Sequence, residues 1–144
     1  MEERVQQLAP LCESPIELML LGAIDFSMAL ARFTEKLIKY QIQKQGDAIT
    51  LDPPFIVVIP QYRWQDYRID FAIFREGMDQ PAVFVECDGH EFHERTADQA
   101  ERDRTRDRRI QAANISILRF TGREINRDPF HCVAQVLKFI WREQ

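Results

Sequence analysis

Residues 83–93 read Val83-Phe84-Val85-Glu86-Cys87-Asp88-Gly89-His90-Glu91-Phe92-His93, an apolar strand pattern that runs straight into carboxylates, a glycine and two histidines. A strand of period two points Phe84, Glu86 and Asp88 to one face and Val83, Val85 and Cys87 to the other. Two carboxylates then sit side by side at the end of a buried run. Like charges in that position force one pKa up or destabilise the fold, unless a cation lies between them. Oxygen ligands of this kind suit a hard divalent ion such as magnesium or manganese.

Working outward, the pattern reads helix, three strands, helix, strand, helix. Upstream, Ser14-Pro15-Ile16-Glu17 has the form of a helix start, with serine as N-cap, proline in the first turn and glutamate at the third position. Ile16, Met19, Leu20, Ala23, Ile24, Leu30, Phe33, Leu37 and Ile38 follow at spacings of mostly three and four, which predicts one long helix with a single buried stripe. It ends before Gly46, and Gly46 to Pro54 is the connecting loop. Phe55 to Pro60, Tyr67 to Phe74 and Pro81 to Glu86 are β-rich runs, and the short turns between them predict an antiparallel meander. Period two puts Ile69, Phe71 and Ile73 on one face of the second strand. Arg68, Asp70, Ala72 and Phe74 take the other, so Asp70 is a charge inside a strand-forming segment.

Downstream, Thr96 to Asn114 predicts a helix that turns Ala100, Asp103, Arg106, Asp107, Ile110 and Ala113 to one side. Arg102, Arg104, Arg108 and Arg109 fall mostly elsewhere. Ile115 to Phe120 is a short buried strand, so helix and strand complete a βαβ crossover with the 81–86 strand parallel to it. Asp128-Pro129 opens a last helix with Phe130, Val133, Val136, Leu137 and Ile140 as its core stripe.

Composition narrows the classes. The 144 residues, 45% of them apolar, suffice for one domain spanning 1–144 with one core. A net charge of −4 argues against a lysine-coated, sequence-indifferent nucleic-acid binder, though an acidic site masks local basic surface. Three cysteines, Cys12, Cys87 and Cys132, with no CxxC pair and no secretory signal, point to a reduced, cytoplasmic protein. No apolar run approaches the roughly 20 residues of a membrane span. There is no glycine-rich phosphate loop, no GxSxG elbow and no protease-like cysteine setting. Cys87, His90, His93 and the distant His131-Cys132 are zinc-ligand types, but they lack the tight pairs of a tetrahedral site, and Cys87 points to the core.

Taken in order, Ser-Pro-x-Glu on a helix, Arg-Ile-Asp-Phe on a strand, Val-Glu-Cys-Asp-Gly-His on the next, then Arg-Asp-Arg-Thr-Arg-Asp and Ile-Leu-Arg-Phe-Thr-Gly-Arg-Glu-Ile resemble the very-short-patch-repair-like branch of the PD-(D/E)XK nucleases. The resemblance runs from Ser14 to about Glu124. It implies an α/β, restriction-endonuclease-like αβββαβ core, a mixed central sheet flanked by helices, with the C-terminal helix added. It also implies a metal-dependent DNA endonuclease of nicking or repair type, using Mg²⁺ or Mn²⁺, with Asp70, Glu86, the Cys87 backbone carbonyl and Asp88 around the ion. Asp88 stands where the parent motif has a catalytic lysine, which leaves His93, then His90, as substitutes. Glu17 is placed beside the metal by the resemblance and at a helix cap by its own position.

The roles follow from phosphodiester hydrolysis, which needs an activated water, neutralised phosphate charge and a proton for the leaving oxygen. On this reading Asp70, Glu86 and Asp88 serve the ion and His93 is the acid or base. Arg106 and Arg102 meet phosphates and His90 lies beside the substrate. Each has a bland alternative: Asp70 paired with Arg68 or Arg119, Asp103 paired with Arg106, the arginines a solvated face. Gln61, Arg63, Trp64, Gln65 and Tyr67 are either a packed strand pair or an arginine and aromatic cluster that meets bases. DNA is the expected partner, with a homodimer or a specificity partner beside it. A nucleic-acid-binding module with weak chemistry, or a partner-dependent nuclease subunit, is the competing class.

Overall fold

The computed structural model describes residues 2–31, 38–88 and 96–141. Five strands form one mixed sheet, in the order β1 (Lys39–Ile42), β2 (Phe55–Trp64), β3 (Tyr67–Arg75), β4 (Val83–Asp88) and β5 (Ser116–Thr121). The β2-β3-β4 unit is antiparallel, as the turn signals require, while β1 joins β2 and β5 joins β4 in parallel. Helices α1 (Glu2–Leu8), α2 (Pro15–Ala31), α3 (Ala97–Ala112), α4 (Gly122–Arg127) and α5 (Pro129–Ile140) cover the sheet. Helices α2 and α5 pack on one face over Ile56, Val58, Phe71, Ile73, Val83 and Val85. Ile110 of α3 closes the other face over Ala72, Phe84 and Ile115. This is the α/β restriction-endonuclease-like architecture expected.

Several boundaries differ from the sequence pattern. The first long helix is described only to Ala31, and Phe33 and Leu37 lie outside the described residues. Ile38 is not helical but leads into β1, which the helical reading had absorbed. Its Lys39–Ile42 residues pair with Phe55–Val58, so tertiary pairing outweighs local periodicity there. Helices α1 and α4 were not anticipated; α4 starts on a capping box, Thr121 with Glu124, directly after β5. Met19, Leu30 and Phe130 were assigned to buried stripes, yet they are 40%, 56% and 50% exposed. Phe130 instead meets the exposed Phe26 edge to face at 5.7 Å, on the outer side of α2 and α5.

Strict alternation also fails on β3, and the failure falls on Asp70. Phe71 and Ile73 face the α2/α5 core, but Ile69 packs in the opposite cluster with Ala72. The cause lies in β2, where Gln61 adopts φ 52, a left-handed conformation that side-chain-bearing residues seldom take. Pro60 pairs with Phe71 and Tyr62 with Ile69, while Gln61 and Asp70 between them are not partners. The ribbon turns over at that point, so Tyr62 and Trp64 look toward α3 although Ile56 and Val58 look toward α2. On the other side of β3, pairing with β4 stops at Phe71 and Val85. Asp70 is therefore the residue at which β3 leaves regular pairing on both sides.

Candidate nuclease site

The released backbone of β4 is recaptured by a side chain. Asp70 Oδ2 accepts the Cys87 N–H at 2.7 Å, in place of a continued ladder between the strands. Burial, with Glu17 and Glu86 close by, pushes the Asp70 carboxyl from 3.8 up to about 7, against the pull of the Cys87 N–H and Arg106. Glu86 points to the α3 side of the sheet, as the β4 alternation predicted. Its carboxylate accepts from Arg106 Nη1 at 3.0 Å, and Arg119 Nε lies 4.0 Å away. Burial pushes the Glu86 carboxyl up as well, with the two arginines opposing it and Asp88 adding to it. Two largely buried carboxylates from neighbouring strands thus lie near one another with raised pKa values, desolvation leading at both and Glu86 adding to the rise at Asp70.

Glu17 forms the cap that its position predicts, and it also lies close enough to Asp70 to raise its pKa. Its backbone N–H bonds Ser14 Oγ at 3.2 Å, and its carboxylate accepts from Ser14 Oγ and from the Glu13 N–H, so it caps α2. The same carboxylate is 7% exposed and takes a 2.7 Å bond from Gln61 Nε2. Gln61 is a residue the sequence reading placed among possible base contacts. It turns inward instead, and its positive φ left no trace in composition or periodicity. Trp64, from the same group, packs edge to face on Phe84 at 5.6 Å and stacks on Tyr67, which is the bland reading of that cluster.

Helix α3 presents Arg106 and Asp107 to β4 and β5, and the arginines assigned to the far side are exposed. The bonds of Arg106 run to Glu86, with Asp107 Oδ1 at 4.0 Å from its Nε. That Nε is buried and has no hydrogen-bond partner. Arg68 pairs with Glu13, and Arg119 pairs with Asp107 and Glu86, so neither neutralises Asp70. Glu86, Cys87, Asp88, Asp103, Arg106, Asp107 and Arg119 line a cleft of about 310 Å³ between α3 and the ends of β4 and β5. Beyond Arg106 a second opening of about 590 Å³ is lined by Asp66, Tyr67, Arg102 and Thr105 among others. Arg102 thus borders an open cleft.

His90 and His93 lie outside the described residues, and nothing in the geometry bears on them. Among the described residues no three His, Cys, Asp or Glu side chains are arranged to hold a metal. The physical reason is visible: Asp70 is turned to the Cys87 N–H, and Glu86 to its arginines. In donor chemistry Asp70, Glu86 and the Asp88 beside them fit a hard divalent cation, provided Glu86 turns from Arg106. They do not fit zinc. Burial raises the Cys87 thiol and pushes Cys12 up to about 12, away from the thiolate that zinc requires, and Cys132 is buried in the core.

A mixed sheet with an antiparallel meander, a parallel crossover and two acids at the parting of its central strands defines a restriction-endonuclease-like protein. Residues 53–140 match the sequence model of the restriction-endonuclease-like family REase_MTES_1575, and the chain belongs to that family. The match contains Asp70, Glu86, Asp88, Arg106 and Arg119, while Glu17 precedes it. No curated protein and no solved structure matches the chain. No helix among the described residues is long and apolar enough to cross a membrane.

Proposed function

We propose that this chain is a metal-dependent DNA endonuclease of nicking or repair type, on the very-short-patch-repair-like branch of its superfamily. The observation that carries the reading is the Asp70 and Glu86 pair, two largely buried carboxylates at the end of an apolar sheet, both with pKa values raised chiefly by burial, Asp70 further by Glu17 and Glu86, and Glu86 by Asp88. A binding module gains nothing from clustered acids, which repel phosphate. Asp70, Glu86, Asp88 and the Cys87 carbonyl would hold Mg²⁺ or Mn²⁺. When bound, such an ion supplies positive charge to the phosphate and acidifies a water.

The protein's own groups do the rest. Glu17, fixed by the α2 terminus and Gln61, acts electrostatically on Asp70 and so adds to the pull of that carboxylate on a cation. Arg106 lines both openings, where a guanidinium fork suits a phosphate of the cut strand. Arg102 extends that positive edge, and His90 lies nearby in sequence. His93 is the group assigned to protonate the leaving oxygen, since imidazole is the side chain suited to proton transfer around neutral pH. Free cysteines with raised thiol pKa values favour a reducing, cytoplasmic setting.

One observation favours a second reading, a partner-dependent subunit or weakly catalytic binding module: Glu86 is committed to two arginines. Incubation of supercoiled plasmid with the protein and Mg²⁺ or Mn²⁺ separates the two. Chelator-sensitive conversion to nicked circles supports the enzyme, and linear product adds a second copy acting on the other strand. Metal-dependent DNA affinity with intact plasmid supports the alternative.

A further inference from the structure

Glu86 and Arg119 are register partners on the parallel strands β4 and β5, so the backbone itself keeps the guanidinium beside the carboxylate. Arg119 Nε stands 4.0 Å from Glu86 Oε2, while its Nη2 donates to Asp107 Oδ1. The same Asp107 oxygen lies 4.0 Å from Arg106 Nε, and Arg106 Nη1 holds the other Glu86 oxygen at 3.0 Å. Four side chains thus alternate in charge, with Asp107 drawing on both arginines and both arginines drawing on Glu86. Glu86 and Arg106 are 14% and 18% exposed, so solvent screens their attraction poorly, while Arg119 and Asp107, 36% and 46% exposed, carry the ring out to the surface. A carboxylate held by guanidinium groups cannot offer the same oxygens to another cation without giving them up.

Resting on the reading of Asp70 and Glu86 as metal-binding carboxylates, we propose that Arg119 is a positioning residue that sets the affinity of this centre for a divalent cation. Arg119 neutralises Glu86 in the cation's place. Asp107 is the counterweight, holding Arg119 partly off Glu86 and so keeping the carboxylate within a cation's reach. Arg106 differs in that it also lines the second, larger opening, where it has a phosphate to turn to once Glu86 is released.

The test is calorimetric titration of the full chain with Mn²⁺ alone, after chelator treatment, with Mn²⁺ spin resonance as a second readout. Arg119→Gln tightens Mn²⁺ binding by roughly tenfold, equivalent to about 1.4 kcal/mol. Arg119→Lys keeps a competing cation and stays near the parent affinity. Asp107→Asn weakens binding, because Arg119 then leans wholly on Glu86. Arg108→Gln, which removes an exposed guanidinium bonded to Thr105, leaves affinity unchanged. Binding by Arg119→Gln no tighter than the parent overturns the proposal, as does equal tightening in Arg108→Gln, which marks a bulk charge effect. A merely structural Arg119 shows as a lowered Tm without tighter binding. If the parent chain takes up no Mn²⁺, the metal-centre reading itself fails, and that result is distinct from a failure of Arg119 alone.

Discussion

Replacing Asp70 with asparagine should make the metal-free protein more stable, and more so as pH rises. The Asp70 carboxyl has its pKa moved from 3.8 to about 7, chiefly by burial, then by Glu17 and Glu86. An acid with a raised folded-state pKa opposes folding only once the unfolded chain can ionise. Below about pH 4 both states carry the proton and there is no penalty. Between about pH 4 and pH 7 the penalty grows, and above pH 7 it is constant at roughly 4 kcal/mol by linkage. Asparagine can still accept the Cys87 N–H, and the preference of that N–H for a charged acceptor is already contained in the shifted pKa. Any difference between the amide and the neutral acid is the same at every pH, so the change in benefit between pH 5 and pH 8, roughly 2 to 3 kcal/mol, isolates the carboxylate. Urea unfolding of both proteins in chelator at the two pH values measures it. If Asp70→Asn is equally destabilising at pH 5 and pH 8, Asp70 is a satisfied structural carboxylate and the argument for an electrostatically loaded site collapses.

Other perturbations have distinct signatures. Gln61→Ala leaves the buried Glu17 carboxylate without its 2.7 Å donor and should lower stability by about 1 to 3 kcal/mol in urea unfolding, with Gln61→Gly no better despite relieving the backbone. Asp25, bonded by Arg4 at 2.7 and 3.0 Å and by the Tyr40 hydroxyl at 2.9 Å, ties α1, α2 and β1 together. Burial pushes its carboxyl up, but those bonds outweigh it and the pKa falls below the ordinary value. Its stabilisation is therefore present above about pH 4 and lost as pH drops through the depressed folded pKa, so Asp25→Asn should flatten the acid limb of a Tm against pH curve. Arg106→Ala, by contrast, should weaken DNA affinity at neutral pH, and the salt dependence of binding should fall by about one phosphate contact. An unchanged salt slope would place Arg106 in the ion-pair network alone.

Much of this was legible in residue order because the local signals agree with the final packing. Ser14-Pro15-x-Glu17 caps a helix, the Val83 to Cys87 alternation survives in β4, and Arg106, Asp107 and Ile110 do face the sheet. Lys39–Ile42 was not legible, since a four-residue edge strand owes its existence to Phe55–Val58 across the pairing and carries no period of its own. Asp70 was found for a reason only half correct. Alternation alone gave it the face of Ala72, whereas Gln61 turns the ribbon over and frees Asp70 from pairing on both sides. The second arginine on Glu86 was equally hidden, because a parallel register between β4 and β5 cannot be counted from spacing. Residue order offers Arg119 only as a partner for Asp70.

The central claim is that Asp70 and Glu86 jointly bring a divalent ion to a phosphodiester. Plasmid cleavage by the parent chain, Asp70→Ala and Glu86→Ala, each with Mg²⁺ and each with chelator, tests it most directly. The account predicts chelator-sensitive nicking by the parent and its loss, by at least about a hundredfold, in both folded variants. Undiminished cutting by both variants would contradict it.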